Sequence, residues 1–273
     1  MEPEISIIVP LRNESANVRP LTQQIFQALE RRTPPRPDDA ACLRAEKQSG
    51  APAAEPPGTC PHPEVPRIEL ILVDDASTDD TWQQVVALGK ADARVRPFRH
   101  LRQAGQSAAL WTGFLNSRAR ILATLDGDLQ NDPADLPRLL EALDDCDLVC
   151  GVRTRRADTF TRRLSSKIAR LARKLILGVD FADTGCNLRV FKRLVLDNIP
   201  AFDGIHRFMP ILAHNAGARV KEMPVTHHPR ASGRSNYGIW NRLGRGLRDL
   251  LMVRLYLKRQ LKRSQVEVPS GRE

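Results

Sequence analysis

Three short apolar runs constrain this chain more than any other feature: Ile5-Ser-Ile-Ile-Val9, Ile68-Glu-Leu-Ile-Leu-Val73 and Ile121-Leu-Ala-Thr-Leu125. Nearly continuous apolar segments of this length suit strands buried on both faces, as in parallel sheets. Each run stops at polar residues: Pro10-Leu-Arg12-Asn-Glu14, Asp74-Asp75, and Asp126-Gly127-Asp128. Helical patterns lie between them. Asn17 or Ser15 is placed to cap a helix running to about Arg32, and Ser77 or Asp79 to cap one over Thr81–Lys90, with acids where the helix dipole favours them. A third helix spans Gln106–Asn116, and Pro133 opens another to about Leu143. Val95–Phe98 and Leu148–Gly151 read as further strands. This alternation predicts an α/β fold with a mostly parallel central sheet flanked by helices. Ligands in such sheets sit beyond the carboxyl ends of the strands, so the three polar clusters converge on one site.

Asp126, Asp128 and Gln130 point to a metal site. Hard divalent cations take oxygen ligands, and Mg²⁺ is commonly held by one or two carboxylates plus substrate phosphates. Gly127 would let the backbone turn sharply between the acids. A plain turn after a strand also accounts for Asp and Gly; the neighbouring clusters favour the shared site.

Residues 33–66 hold nine prolines without periodicity and read as a disordered surface insertion. The second half differs. Arg153 to Lys174 is dense in Arg and Lys, with Leu164, Ile168, Leu171 and Leu175 at helical spacing. Asp183–Phe191 reads as loop then strand, His206–Ala216 as helix, and Arg219–Val225 as strand. A polar loop from His227 to Gly238 precedes an amphipathic helix from Ile239 to about Lys262, and the tail from Ser264 is polar. His227 and His228 read as loop residues rather than ligands.

Lys and Arg outnumber Asp and Glu by 42 to 32, which calls for an anionic partner. Aromatic residues are 5% and unclustered, so the stacking platforms of a nucleic-acid binder are missing. No P-loop or GxGxxG follows a strand. No run approaches the ~18 apolar residues of a membrane span, and Met1-Glu-Pro-Glu4 lacks the basic start of a secretory signal. The five cysteines (42, 60, 146, 150, 186) show no paired spacing and read as reduced thiols of a cytosolic protein. Cys60 and His62 have no second ligand pair, so zinc is not expected.

Taken together, Ile8-Val-Pro-Leu-Arg-Asn-Glu14, Leu72-Val-Asp-Asp-Ala-Ser-Thr-Asp79, Gly105-Gln-Ser-Ala-Ala109, Asp126-Gly-Asp-Leu-Gln130 and Arg230-Ala-Ser-Gly-Arg-Ser-Asn236 resemble the family 2 glycosyltransferases of the GT-A fold. Within these the chain is most similar to the dolichyl- or undecaprenyl-phosphate hexosyltransferases, from about Ile5 to Arg254, outside the 33–66 insertion. The resemblance implies a single domain over 1–262, with a nucleotide-sugar half to 151 and an acceptor half from 152. It implies inverting transfer of a hexose from a nucleotide-diphosphate sugar. By matching positions, Pro10, Glu14, Val73 and Asp75 would hold base and ribose, and Asp126 the ribose or metal. Asp128 with Gln130 would bind Mg²⁺ or Mn²⁺, with Gly127 beside the donor. Arg153 and Arg163 would bind phosphate, and Arg230 would close over the diphosphate. Three positions depart from the family: Arg12 replaces a tyrosine, Gln103 an asparagine, and Asn236 a lysine for which Arg234 would substitute.

A polyprenyl-phosphate acceptor is already ionised at neutral pH, because a phosphate monoester's second pKa is ~6, and needs no protein base. A sugar hydroxyl needs one; Asp183 is then the candidate base, or else a turn cap. The basic helices are either solvated faces or interfacial helices on anionic lipid. Lipid-acceptor logic favours the second for 239–263 and places the protein peripherally at the cytoplasmic membrane face, without nucleic-acid partners. The competing reading is a soluble family 2 transferase acting on a saccharide hydroxyl. The Gln-x-x-Arg-Trp signature of processive synthases is absent.

Overall fold

The structure is a computed structural model that describes residues 2–30, 67–153, 170–229 and 239–259. The 33–66 insertion and the tail from 264 lie outside the described residues. Two compact units emerge: Met1–Ala157 with Phe181–Arg234, and Asp158–Asp180 with Ser235–Glu273.

The first unit is built on a seven-stranded sheet: β1 (Ile5–Leu11), β2 (Ile68–Asp74), β3 (Val95–Arg99), β4 (Ile121–Thr124), β5 (Leu148–Arg153), β6 (Arg189–Lys192) and β7 (Val220–Val225). Their order is β3-β2-β1-β4-β6-β5-β7. β1 pairs in parallel with both β2 and β4, while β6 runs antiparallel to both of its neighbours. Every residue of β2 is buried, as the continuous apolar run requires of a central parallel strand. The helices are α1 (Ser15–Glu30), α2 (Thr81–Ala91), α3 (Gln106–Asn116), α4 (Leu136–Glu141, after a short 3₁₀ turn at Pro133–Asp135) and α5 (Ile205–Asn215). Gly113 of α3 has no room for a side chain, because a Cβ there would run into Ile8 of β1.

Neither Ser15 nor Asn17 caps α1. The Ser15 N–H donates instead to Asp79 Oδ2 (3.3 Å) and the Glu14 N–H to Thr81 Oγ1 (2.9 Å), so the cap comes from the β2–α2 loop. Asp79 also accepts from its own helix, at the Thr81 N–H (3.0 Å). The acids expected inside the first turn of α2 stand just ahead of it, at Asp79 and Asp80.

The second unit contains helical turns over 170–177 and α6 (Ile239–Arg259). Leu250 and Val253 of α6 are buried, whereas Leu251, Met252 and Leu255 are 48%, 61% and 57% exposed. No helix among the described residues is long and apolar enough to cross a membrane.

At the amino ends of the central strands a buried carboxylate ties the sheet together. Glu69, with a 3% exposed side chain, accepts from the Ser6 hydroxyl (2.5 Å), the Arg118 N–H (2.6 Å), and the guanidinium groups of Arg96 (2.8 Å) and Arg118 (3.1 Å). Burial pushes its pKa up, but these bonds outweigh burial and hold it below the usual value. A group with a depressed folded pKa stabilises above its unfolded pKa and loses that contribution as pH falls through the folded one. Arg96 and Arg118 are 27% and 59% exposed and regain water when the acid is removed. The cost is therefore that of hydrogen bonds to a charged group, about 2 kcal/mol, rather than of a fully buried broken pair. Glu69→Gln is expected to lower Tm by about 4–8 °C at pH 7. The gap to wild type should close as pH drops below about 4, as followed by circular dichroism melts.

Candidate active site

Strand order reverses between β1 and β4, and the carboxyl ends there form the crevice in which open α/β sheets bind ligands. The Asp75 N–H donates to Leu11 O (2.9 Å) and the Leu125 N–H to Ile8 O (3.2 Å), which holds all three strand ends in one rim. Pro10, Glu14, Asp75, Asp126 and Asp128 all stand on this rim. Arg12 is exposed, and Val73 is fully buried within β2.

The first two loops are stitched together. Asn13 is left-handed (φ 54°); its N–H donates to Ser77 Oγ and its Oδ1 accepts from the Thr78 N–H, both at 2.9 Å. The Asp75 carboxylate receives the Ala104 and Gly105 N–H groups and His100 Nδ1, all at 2.8 Å. Burial raises its pKa, yet these donors bring it below the ordinary value. Asp75 thus fixes the loop that leads into α3, and Gly105 there needs its positive φ of 93°.

At the end of β4 the left-handed residue is Leu129 (φ 58°), not Gly127. Gly127 is needed for space instead: a Cβ there would lie 2.5 Å from Leu11 Cδ2 and 3.2 Å from Pro10 O. Asp126 Oδ1 accepts from Gln106 Nε2 and Asn187 Nδ2, both at 2.8 Å. Asp126 is raised in pKa first by burial and then by the charge of Asp128, against the Asn187 bond and the charges of Arg153 and Arg189. Asp128 is 8% exposed and accepts the Gln130 N–H at 3.2 Å. The Gln130 segment is pinned from the other side by the His228 N–H on its carbonyl (2.8 Å) and by an Asn131–His227 bridge.

β6 supplies the rest. Because it is antiparallel, its amino end meets the carboxyl ends of β4 and β5. Asp183, just ahead of it, holds Arg153 at the end of β5 through two bonds, Nε–Oδ2 at 2.7 Å and Nη2–Oδ1 at 2.8 Å, and also accepts the Gly185 N–H (3.1 Å). The Ala182 N–H in turn is anchored on Glu222 (2.9 Å). Arg189 is 1% exposed, donates to Thr184 O (2.9 Å), and lowers the pKa of Asp126 by its charge. The pKa of His227 is lowered by burial and then by Arg153, and its Nδ1 has no hydrogen-bond partner among the described residues.

The structure therefore brings Asp126, Asp128, Gln130, Arg153 and Asp183 to one edge, while Arg163, Arg230, Arg234 and Asn236 lie outside the described residues. Gln106 entered only within the Gly105–Ala109 motif, without a role, and Asn187, His100 and Arg189 were not singled out from sequence. Asn187 and Arg189 share one face of a strand by the two-residue period, which is the only sequence signal they carry. The residues fit a divalent cation: Asp128 stands close enough for its charge to raise the pKa of Asp126, and a positive ion between the two relieves that repulsion. No group of three or more His, Cys, Asp or Glu converges as a metal site among the described residues. The remaining ligands would then be the Gln130 amide, phosphate and water.

Comparison with known proteins identifies the family and the fold. The family model for glycosyl transferase family 2 matches residues 62–200. Dodecaprenyl-phosphate galacturonate synthase of Rhizobium johnstonii is 33% identical over 261 residues, covering 93% of this chain and 68% of that protein. Undecaprenyl-phosphate 4-deoxy-4-formamido-L-arabinose transferase of Pseudomonas aeruginosa is 33% identical over 235 residues, covering 85% of this chain and 60% of that protein. The chain thus spans about two thirds of the length of these relatives. Among solved structures, glucosyl-3-phosphoglycerate synthase of Mycobacterium tuberculosis with Mn²⁺, UDP and phosphoglyceric acid superposes with a TM-score of 0.60 at 17% identity, over 97% of this chain and 82% of that one. Mannosyltransferase PcManGT of Pyrobaculum calidifontis with GDP-Man and Mn²⁺ gives 0.56 at 18% identity, over 94% and 70%. On the family match, the relatives and the shared fold, this chain is a GT-A enzyme and belongs to glycosyl transferase family 2.

Proposed function

We propose that the chain is an inverting glycosyltransferase that moves a hexose from a nucleotide diphosphate to a polyprenyl phosphate, working peripherally at the cytoplasmic face of a membrane. The observation that carries this reading is the engagement of Asp183. Its carboxylate is spent on a bidentate pair with Arg153 and on the Gly185 N–H, not poised to take a proton. A phosphate oxygen arrives ionised and needs no proton removed, whereas a sugar hydroxyl does. The two relatives named above, both acting on polyprenyl phosphates by name, support the same acceptor class.

In this reading the acceptor oxygen attacks the anomeric carbon from the face opposite the diphosphate. The carbon–oxygen bond to the donor phosphate breaks, and its electron pair leaves with the nucleoside diphosphate. Arg153, oriented by Asp183, offers its remaining N–H to phosphate. A cation held by Asp126, Asp128 and Gln130 would neutralise the departing diphosphate as a Lewis acid. Glu14 and Asp75 border the base and ribose, with Asp75 acting through the 100–105 loop that it anchors. The rest is positioning and fixed electrostatics.

The second unit supports the membrane contact. On α6, Leu250 and Val253 face inward while Leu251, Met252, Leu255 and Tyr256 form a second, exposed apolar strip at i, i+4 spacing. Exposed Arg248, Arg254, Lys258 and Arg259 flank that strip. Leu171 and Leu175, 56% and 75% exposed, belong to the same unit. An apolar strip bordered by cations suits the headgroup layer of an anionic bilayer.

Incubation with a panel of radiolabelled nucleotide sugars and polyprenyl phosphate should place label in the organic phase on extraction. Label confined to water-soluble product would overturn the lipid acceptor. Asp128→Ala is expected to cut transfer by at least about 10³-fold with a cooperative melt retained; turnover near wild type removes the metal assignment. The double variant Leu251→Ser, Leu255→Ser should weaken co-sedimentation with phosphatidylglycerol vesicles by roughly tenfold or more. Equal sedimentation of the two proteins counts against the membrane contact.

A further inference from the structure

Asp126 is held from two sides through a single oxygen. Gln106 Nε2, from the first residue of α3, and Asn187 Nδ2, from the segment entering β6, both donate to Oδ1 at 2.8 Å. Asn187 is 4% exposed, and its backbone carbonyl accepts the Thr124 hydroxyl at 2.5 Å, which fastens it to β4. The Asn187 Oδ1 is buried without a hydrogen-bond partner among the described residues. Turning the amide over would set that oxygen against the Asp126 carboxylate and bury its N–H groups unsatisfied, so the orientation is fixed by Asp126. A buried acceptor left unsatisfied calls for an explanation; here the gain is an N–H aimed at one carboxylate oxygen. Asp126 Oδ2, by contrast, takes no bond from the described residues, and Asp126 keeps partial exposure at the crevice.

We infer that Gln106 and Asn187 are positioning residues that commit Asp126 to a one-oxygen contact, through Oδ2, with the cation that neutralises the donor diphosphate. The inference rests on the metal-dependent reading above and adds to it how the carboxylate is presented. With Oδ1 occupied by two N–H donors, the two-oxygen clasp that suits Ca²⁺ is blocked. A single oxygen suits the tight octahedral shell of Mg²⁺, or of Mn²⁺. The clamp therefore favours small octahedral cations over Ca²⁺. Both donors are neutral amides, so they orient the carboxylate without cancelling the charge that attracts the cation.

The test is direct Mn²⁺ binding, read by electron paramagnetic resonance with equimolar UDP or GDP, on the full chain and on Gln106→Leu, Asn187→Leu and the double variant. Each single change is expected to weaken Mn²⁺ binding about tenfold. Ca²⁺ competition, measured in the same titration, should gain relative to Mn²⁺. Because both amides meet one oxygen, the double variant should lose less than the product of the single losses. Should Asn187→Leu fail to melt cooperatively, Asn187→Ser removes the amide with less bulk and takes the same measurement. Leu or Ser variants that bind Mn²⁺ within twofold of wild type, with Ca²⁺ discrimination unchanged, overturn the clamp and leave the proposed function standing. If wild type binds no Mn²⁺ with either nucleotide, the clamp and the metal-dependent reading fall together.

Discussion

The close approach of Gly127 to the end of β1 sets the rest of the site. A Cβ at Gly127 would meet the Leu11 side chain at 2.5 Å and the Pro10 carbonyl at 3.2 Å, so the loop after β4 lies directly on the neighbouring strand. β1 is hydrogen-bonded on both sides, to β2 and β4, and cannot yield without disturbing the centre of the sheet. Asp126 and Asp128 flank the glycine and inherit that rigidity. Metal and phosphate chemistry is sensitive to displacements of well under an ångström. A residue with a Cβ at 127 would have to displace the Leu11 side chain and press on the Pro10 carbonyl, in the stretch that carries both acids.

The reversed direction of β6 is the second constraint. A parallel strand in that slot would bring its carboxyl end, Phe191-Lys192, to the crevice and send the residues before it to the far side. Running antiparallel, β6 delivers the segment from Asp183 to Asn187 beside the ends of β4 and β5. One short segment can then hold Arg153 at one end and Asp126 at the other. Arg189, two residues further on, is wholly buried and ties back to the Thr184 carbonyl, so the turn is fixed from beneath. Arg153 and Asp126, on opposite sides of the crevice mouth at the ends of β5 and β4, are thereby joined through five residues of chain.

Much of this was legible in the sequence, because its central strands are apolar without interruption and their ends are abrupt. The five strands read from 5 to 151, the helices between them and the convergence of three polar clusters all follow from period and punctuation. What was not legible shares one cause: it depends on partners far away in the chain. The α1 cap comes from Asp79 and Thr81, more than sixty residues on, so local capping rules named the wrong side chains. Gly127 was assigned a turn when its requirement is space against Leu11, and the left-handed turn falls on Leu129. The apolar residues of α6 read as one stripe, but Leu250 and Val253 are buried while Leu251 and Leu255 are not, which is two faces. Gln106 lay within a recognised motif and Asn187 did not, but the service of either amide to the Asp126 carboxylate has no signature apart from the fold that places it.

The chemistry of the site follows from how its acids are partnered. Asp183 is paired bidentately with a guanidinium, so its charge is answered within the protein, and what it contributes is the aim of Arg153. Asp126 is held by neutral amides, and its neighbour Asp128 pushes its pKa up rather than relieving it. An arginine in place of Asn187 would hold Asp126 as firmly, but it would already supply the positive charge that a divalent cation is meant to bring. Amide donors separate the two tasks, since they fix direction and leave the charge unspent. The buried guanidinium of Arg189 acts on Asp126 only through its field, favouring the ionised acid without occupying either oxygen. On the proposed reading, one crevice can therefore present a carboxylate pair to a cation and an arginine to phosphate, without the two neutralising each other before the donor arrives.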